Sequence, residues 1–214
     1  MRNTFALLKQ NAAIINKHLL LKALFSILSG AILTLAFAPF YLWPLAFISP
    51  SLLYALLHHE SVKRAVFIGW CFGLGFFGFS ISWIYVSISH YGPPNSLIAL
   101  LITILGIMFL SLFFMALGAI LAGFYPHESL NKRFIAYPAV WTILEILRAK
   151  LFTGFPWVLL GQSQTTYPLG GFTPIFGIYI TSLICIIISG LIFSIFYENK
   201  NKNKKKKNLK IISL

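Results

Sequence analysis

Residues 97–123 read LIALLITILGIMFLSLFFMALGAILAG, a stretch in which no side chain is charged. A helix of about 20 apolar residues spans the roughly 30 Å hydrocarbon core of a bilayer, because each residue adds about 1.5 Å. The stretch therefore predicts a transmembrane helix whose apolar side chains face lipid and neighbouring helices.

The rest of the chain has the same character. Of its 214 residues, 58% are hydrophobic and 10% are charged, whereas charged residues make up about 25% of a soluble domain. The pattern predicts an all-α, polytopic bundle of about six transmembrane helices, at residues 19–37, 42–57, 65–89, 96–124, 134–151 and 172–197. The second span is short and contains Pro44 and Pro50, so we expect it to be kinked or partly interfacial.

The positive charge is unevenly distributed along the chain. The net charge of +13 could suggest nucleic-acid binding, but the basic residues concentrate at the two termini and in the connections 58–64 and 126–133. Only two of the 17 Lys and Arg residues, Arg148 and Lys150, fall in the opposite set of connections. Because Lys and Arg accumulate on the cytoplasmic side of membrane proteins, both termini are predicted to be cytoplasmic. No nucleic-acid partner is expected.

Three segments are predicted: a cytoplasmic N-terminal segment at 1–18, a six-span membrane domain at 19–197 and a basic tail at 198–214. Ala36-Phe37-Ala38 mimics a signal-peptide cleavage site, but a proline follows directly, so the first span is expected to stay uncleaved. The tail is rich in Asn and Lys and is expected to be unstructured at its start. Lysine and asparagine codons are adenine-rich, so slippage in the run 204–207 could have shifted the reading frame and ended the chain early.

Glu145 is the one acidic residue within a predicted span, where a charge costs about 2.5–3.5 kcal/mol to insert. Arg148 lies three residues later on the same helix face. Either the two form an internal salt bridge, or Arg148 and Lys150 bind a lipid phosphate, which a guanidinium contacts bidentately. The remaining acidic residues are expected to be solvated in basic connections or the tail: Glu60, Glu128 and Glu198.

The connection 152–171 is uncharged and rich in Gly, Pro and aromatic residues. Its aromatic rings suit a belt at headgroup depth. Gln162, Ser163 and Gln164 are more polar than a belt requires, and could instead line a cavity. The composition of the connection therefore leaves both interpretations open, an aromatic belt and a cavity lining.

No residue pattern indicates a catalytic or metal centre. Neither a Ser-His-acid nor a Cys-His arrangement falls at a plausible site, and a lone His90 is expected to be solvated. Cys71 and Cys185 lie in apolar context without metal-ligand spacing and are expected to pack as small apolar residues. Gly69 and Gly73, one turn apart, predict close helix packing, with a lipid groove beside them as the alternative. No cofactor is expected.

Short motifs along most of the chain resemble those of bacterial apolipoprotein N-acyltransferases, in the family's order from about residue 24 to 190. The first lie in the first turn and the third span: Leu35-Ala36-Phe37-Ala38-Pro39-Phe40, Trp43-Pro44, Gly69-Trp70-x-Phe72-Gly73-x-Gly75-x-Phe77-Gly78 and Ser82-Trp83-Ile84-Tyr85-Val86-Ser87-Ile88. The others lie in the fifth span and the following loop: Pro138-Ala139-x-Trp141, Glu145-x-x-Arg148, Thr153-Gly154-Phe155-Pro156-Trp157, Gly161-x-Ser163-Gln164 and Pro168-Leu169-x-Gly171.

The resemblance implies an enzyme of the bacterial inner membrane that completes lipoprotein maturation. Such enzymes transfer an acyl chain from a membrane phospholipid to the N-terminal S-diacylglyceryl-cysteine of apolipoproteins, through a thioester on a cysteine. The phospholipid and the apolipoprotein are therefore the expected partners. The residues expected to contact lipid or substrate are Trp83, Tyr85, Glu145, Arg148, Thr153, Gly154, Phe155, Pro156, Trp157, Gln162, Ser163 and Gln164.

One departure from the family limits this expectation. The family's catalytic cysteine works with a glutamate and a lysine in a nitrilase-like domain, and these three residues have no counterparts among the 214. The chain is therefore expected to be the membrane half of a truncated or split enzyme, inactive unless a separate nitrilase-like domain is supplied. The alternatives are a non-functional remnant, or a six-span transporter or scaffold. A transporter predicts charged residues along a path through the membrane, and only Glu145 qualifies.

Overall fold

The computed structural model describes the backbone of residues 2–92 and 95–212, and the side chains of residues 17–92 and 95–198. Within these ranges the chain is helical and contains no strand. The α-helices are α1 (Arg2–Thr34), α2 (Leu45–Leu57), α3 (Val62–Ser80), α4 (Trp83–Tyr91), α5 (Ser96–Gly123), α6 (Tyr137–Lys150), α7 (Thr173–Phe176) and α8 (Ile178–Ile212). A π-helical turn (Lys132–Ala136) leads into α6, and two 3-10 helical turns (Leu160–Gln164 and Pro168–Phe172) follow it.

Four helices contain segments that are long and apolar enough to cross a membrane: Lys17–Thr34, Val62–Ser80, Ser96–Gly123 and Ile178–Glu198. Helix α2 is also apolar but shorter, and α6 has 14 residues. The length and composition of these helices are those of a membrane protein.

The third predicted span, 65–89, is wrong as a single helix. It breaks between α3 and α4 at Ile81, which leaves the helical conformation with φ −122° and ψ 10°. The serine on each side bonds back to the main chain: Ser80 donates to the Phe76 carbonyl at 2.7 Å and Ser82 to the Phe79 carbonyl at 3.4 Å. Such hydroxyls compete with the helical hydrogen bonds, and Ile81 is buried at the break.

The last predicted span also differs from the structure at both ends. Its start is a 3-10 turn and the short α7, separated from α8 by Gly177 at φ +82°. Helix α8 then continues to Ile212, so the expectation of an unstructured start to the tail was wrong. Segment 1–18 is likewise helical from Arg2. The side chains of 204–207 lie outside the described residues.

Helix α3 packs closely between α1 and α5, as Gly69 and Gly73 predicted. A Cβ atom at Gly69 would lie 2.1 Å from the Phe114 carbonyl oxygen, and one at Gly73 would lie 2.7 Å from the Ser111 Cα. On the α1 side, a Cβ at Gly75 would lie 2.0 Å from the Ile27 carbonyl oxygen. Small residues let helices approach this closely without a large apolar side chain between them.

An aromatic core joins α3, α5 and α6. The Phe114 ring lies edge-on to Phe72 at a centroid distance of 4.8 Å and to Trp141 at 5.1 Å. Tyr137, fully buried at the start of α6, donates to the Pro50 carbonyl of α2 at 2.8 Å. These contacts fix α6 against the rest of the bundle.

Contacts between connections define two ends of the bundle. At one end, Tyr54 and His58 contact Glu128, and Arg133 contacts Ser194 near the end of the apolar part of α8. We call this the basic end. At the other end lie the connection 35–44, the break between α3 and α4, and the connection 151–177. There the Tyr167 hydroxyl donates to the Tyr41 carbonyl at 2.8 Å.

Candidate functional site

The candidate site lies at the end opposite the basic end, where α6 passes into a long connection. Helix α6 has Glu145 and Arg148 on one buried face, 7% and 4% exposed. The connection folds back over this face and forms the turn Leu160–Gln164. Both charged residues therefore lie beneath the predicted substrate-facing loop.

Arg148 is bonded to the backbone of this loop. Its Nη1 donates to the carbonyls of Phe155 at 3.0 Å and Trp157 at 2.7 Å, and its Nη2 lies 3.5 Å from the Val158 carbonyl. The guanidinium carbon also lies 5.3 Å from the centroid of the Phe77 ring, a favourable cation-π distance. Arg148 thus donates hydrogen bonds to carbonyls of the loop that folds back over α6.

Glu145 accepts a hydrogen bond from the same loop. Its Oε1 accepts a hydrogen bond from the backbone N–H of Leu160 at 2.8 Å. A salt bridge to Arg148, one of the two alternatives that the sequence left open, is not among the ion pairs within 4.0 Å in the described part of the chain. The physical reason is that backbone groups of the loop need hydrogen-bond partners. Arg148 donates to loop carbonyls and Glu145 accepts from a loop N–H, so the two side chains do not pair with each other.

Three successive residues at the start of the connection adopt positive φ values. These are Phe152 at +56°, Thr153 at +81° and Gly154 at +80°. A Cβ at Gly154 would lie 2.1 Å from the Ala149 carbonyl oxygen, so glycine is required there for space as well as for conformation. This turn reverses the chain and brings Phe155 back over Arg148.

The polar residues of the loop hold its own backbone together. Gln162 accepts from the Leu159 N–H at 3.0 Å and donates to the Pro156 carbonyl at 3.1 Å. Ser163 donates to the Leu160 carbonyl at 2.6 Å. Gln164, which is buried, donates to Ser163 at 3.0 Å and lies 3.4 Å from the Trp43 carbonyl. These polar side chains therefore stabilise the backbone conformation of the loop. Other residues line the cavity described next.

A cavity of about 300 Å³ lies between α4, α5 and the start of this connection. Predicted site residues form one wall: Arg148, Thr153, Gly154 and Phe155. The other walls are almost entirely apolar, and their residues were not predicted: Ile81, Ile84, Ile102, Thr103, Gly106, Phe109, Leu110, Phe113, Leu151 and Phe152. No sequence signal could single them out, because they belong to runs whose composition suits lipid or protein contact equally.

Two of the remaining predicted residues form an aromatic pair beside this region. Trp83 on α4 and Trp157 in the loop meet edge to face at 6.0 Å, and each is about half exposed. Tyr85 is half-buried on α4, and no hydrogen bond of its hydroxyl is present among the described residues. The contact between Trp83 and Trp157 places α4 next to the loop. Tyr85 makes no hydrogen bond to the loop among the described residues.

Sequence reasoning missed a buried polar cluster at the basic end, because Glu128 was expected to be solvated. We call Tyr54, His58, Glu128, Arg133 and Ser194 the Glu128 cluster. Glu128 accepts from Arg133 Nη2 at 2.7 Å and from the Tyr54 hydroxyl at 2.9 Å, and its side chain is 11% exposed. The expectation was likewise wrong for Glu60, which pairs with Lys22 at the same level of exposure.

The environment of His58 makes the Glu128 cluster sensitive to protonation. The His58 Nδ1 lies 3.0 Å from Glu128 Oε2, while its Nε2 is buried without a hydrogen-bond partner among the described residues. Burial, assisted by the neighbouring His59, lowers the pKa of His58, and Glu128 opposes this effect. The neutral imidazole is therefore the form that the folded chain favours.

Neither cysteine is placed for surface chemistry. Cys71 and Cys185 are buried in α3 and α8, as the packing interpretation predicted. Within the described residues, His, Cys, Asp and Glu side chains nowhere gather in the groups of three that a metal ion needs.

Comparison with known proteins identifies the relatives of this chain. Residues 29–191 match the family model of the apolipoprotein N-acyltransferase N-terminal domain. The apolipoprotein N-acyltransferase of Coxiella burnetii is 44% identical over 195 residues, which cover 91% of this chain and 39% of that protein. The corresponding protein of Vibrio parahaemolyticus is 40% identical over 173 residues, or 81% of this chain and 34% of that protein. The chain thus spans less than two-fifths of the length of these relatives.

Proposed function

This chain belongs to the apolipoprotein N-acyltransferase family, and on that premise we propose that it forms the membrane domain of such an enzyme. The reaction it would serve is the phospholipid-dependent N-acylation of the N-terminal S-diacylglyceryl-cysteine of apolipoproteins, the last step of lipoprotein maturation. Its part in that reaction is to hold lipid chains in the membrane and to present a loop at the membrane surface.

The proposed arrangement is a multi-pass protein of the bacterial inner membrane with six crossings. These are α1, α2, α3 with α4, α5, the π-helical turn with α6, and α8. The contacts at the two ends of the bundle support it, because they group the connections alternately, as six antiparallel crossings require. The basic connections lie together at one end, which would be the cytoplasmic side with both termini.

The observation that carries the proposal is the apolar cavity of about 300 Å³ beneath the loop. Its size is at the lower end of the range for small-molecule sites, and its nearly apolar walls suit a hydrocarbon chain. Arg148, Thr103 and Thr153 are the polar residues in its lining. We propose that an acyl chain of the phospholipid donor or of the apolipoprotein occupies it.

The loop residues then have separate roles. Lys150 and Thr153 are exposed and would lie near the lipid headgroup, beside the half-exposed Trp83 and Trp157. Arg148 would act by shaping the cavity wall, because its guanidinium is committed to loop carbonyls. The acyl-transfer chemistry itself would come from a nitrilase-like domain, so we expect this chain to be inactive by itself.

The proposal is tested by complementation in a bacterium depleted of its own N-acyltransferase. A chimera would join residues 1–197 of this chain to the part of the Coxiella burnetii relative that lies beyond the matched region. Expected results are triacylated lipoprotein with the chimera and persistent diacylated lipoprotein with this chain alone. A chimera that inserts and accumulates yet leaves lipoprotein diacylated would contradict the proposal and favour a non-functional remnant.

A matched pair of variants tests the cavity within the chimera. Gly106 lines the cavity and Gly78 does not, and a Cβ at either position would meet nothing within 4 Å. Gly106→Phe should therefore place a ring in the cavity and lower the rate of acylation, whereas Gly78→Phe should leave the rate unchanged. Equal rates for both variants would exclude the cavity as the lipid site.

A further inference from the structure

The apolar cavity of about 300 Å³ follows α5 for several turns. Its α5 residues run from Ile102, near the end of the bundle that carries the loop, to Phe113, which lies deeper. At about 1.5 Å per residue these two positions are about 16 Å apart along the helix. One leaflet of a bilayer, half of the roughly 30 Å hydrocarbon core, has nearly the same depth. The length of the cavity therefore matches that of one membrane acyl chain.

The Phe113 side chain forms the deep end of this cavity. A second, smaller pocket of about 20 Å³ begins at the same side chain and continues along α5 to Phe114 and Leu117. Phe113 and Arg148 line both spaces and so lie between them. Arg148 is fixed by its hydrogen bonds to loop carbonyls. This leaves Phe113 as the side chain whose size sets the depth of the cavity.

The mouth of the cavity indicates which lipid it fits. Thr153 and Gly154 line the cavity at the loop, and Lys150 is exposed just before them at the end of α6. A lysine ammonium attracts a phosphate group. A phospholipid carries a phosphate at this depth, whereas an S-diacylglyceryl-cysteine carries none. The charge at the mouth therefore favours the phospholipid over the apolipoprotein as the occupant.

We propose that Phe113 determines the length of the acyl chain that is transferred, an inference that rests on the proposed function and adds a specificity-determining residue to it. The transferred chain of the phospholipid lies along α5, with its ester toward Thr153 and its methyl end against the Phe113 ring. Ile102 and Phe109 are exposed, so the cavity is open along its side while Phe113 blocks its end. A chain too long for the cavity holds its ester out of position, and a misplaced reacting group slows the transfer.

The experiment measures which acyl chain is transferred by the chimera described above. The purified chimera in detergent micelles receives an equimolar mixture of dimyristoyl, dipalmitoyl and distearoyl phosphatidylethanolamine, with a diacylated lipopeptide as acceptor. Mass spectrometry of the product gives the ratio of stearoyl to palmitoyl transfer. In Phe113→Ala this ratio should rise about tenfold, because each additional methylene group contributes a factor of up to about four when it is buried. Phe113→Trp should shift transfer toward myristoyl.

Phe79→Ala is the matched control, because Phe79 is exposed on α3 and lines neither of the two spaces. It should keep the chain-length ratio of the parent chimera. Phe113→Leu is the second variant, in case Phe113→Ala does not fold. Its smaller loss of volume should raise the ratio of stearoyl to palmitoyl transfer about threefold.

The possible failures of the inference and of the proposed function are distinguishable. An active parent chimera whose ratio stays unchanged in the folded Phe113 variants would overturn the inference and leave the proposed function intact. A uniform loss of rate with all three donors would do the same, as would a change in the preferred chain length of the acceptor in place of the donor. A folded parent chimera that transfers no acyl chain from any donor would overturn the proposed function, and the inference with it.

Discussion

At the scale of single residues, Arg148 and Glu145 show that charged side chains inside an apolar bundle can serve the backbone of a loop. Arg148 donates to two loop carbonyls and Glu145 accepts one loop amide. Charge-assisted bonds of this kind are stronger than neutral ones. Both residues therefore replace the water that an irregular segment would need if it lay in solution.

Replacing Arg148 with methionine should destabilise the loop, because the carbonyls of Phe155 and Trp157 would lose their donor. We expect a loss of about 3 kcal/mol in the free energy of unfolding, since a hydrogen bond to a charged group contributes about 1.5–3 kcal/mol and two are lost. Thermal unfolding in detergent would measure it, with Lys150→Gln as the control, because Lys150 is exposed on the same turn. If both variants unfold with the same midpoint, the Arg148 contacts do not stabilise the loop.

His58 should make the stability of the chain depend on pH. Since burial lowers its pKa in the folded chain below the ordinary value of 6.5, the unfolded chain binds the proton more readily. Stability is thus fully present above pH 6.5 and is lost as the pH falls through the lower folded-state pKa. The unfolding midpoint of the parent chain should fall more between pH 7.5 and pH 5 than that of His58→Gln. Parallel pH profiles would show that His58 is not responsible.

At the scale of elements, helix contacts in this chain depend on where side chains are small. Helix α3 presents Gly69 and Gly73 to α5 and Gly75 to α1, so it approaches both neighbours closely. The same helix ends where Ser80 and Ser82 turn their hydroxyls back to the main chain. The break opens space between α4 and α5, and this space forms part of the cavity.

Substitution of Gly69 should separate α3 from α5. In Gly69→Leu the side chain would overlap the Phe114 backbone, and we expect a loss of about 2–3 kcal/mol or more in stability. Gly78→Leu is the matched control on the same helix, because a Cβ there meets nothing within 4 Å, and it should change stability by less than about 0.5 kcal/mol. Thermal unfolding in one detergent compares the two. Equal losses would show that close approach at Gly69 is not the cause.

At the scale of the whole molecule, the two ends of the bundle differ in chemistry. The basic end contains the Glu128 cluster and the Lys22–Glu60 pair, whereas the opposite end contains Trp83, Trp157 and the loop bound by Arg148. Such a difference suits a protein whose ends face different compartments.

The orientation of the bundle can be measured by cysteine labelling. Thr166 and Lys63 are exposed at opposite ends, and the two native cysteines are buried. In cells with a permeabilised outer membrane, a membrane-impermeant maleimide should label Thr166→Cys. It should label Lys63→Cys only after the inner membrane is opened. The reverse pattern would refute cytoplasmic termini.

The helical class, the family and the close packing at Gly69 could all be predicted from the sequence, because each depends on local composition or on motifs of adjacent residues. The charge-free run 97–123 became α5 nearly to the residue, since it contains no proline and its uniformly apolar composition favours one long helix. The break at Ile81 was missed because two serines within an apolar run look like ordinary helix residues until their hydroxyl partners are known. Trp83, Tyr85, Pro156 and the loop polar residues remain proposed substrate contacts.

The sequence by itself determined that apolar helices are joined by connections alternately rich and poor in Lys and Arg, because burial of apolar surface and the placement of Lys and Arg follow from residue type. Only the tertiary structure decided what the charged residues bind. Arg148 and Glu145 are close enough in sequence to pair, yet the loop that folds back over α6 offers each a buried backbone partner. Glu128 was expected in water, and the approach of α2 and α8 buried it. The return of the loop onto α6 and, for Glu128, contacts between segments distant in sequence set these outcomes, and no pattern of residue types encodes them.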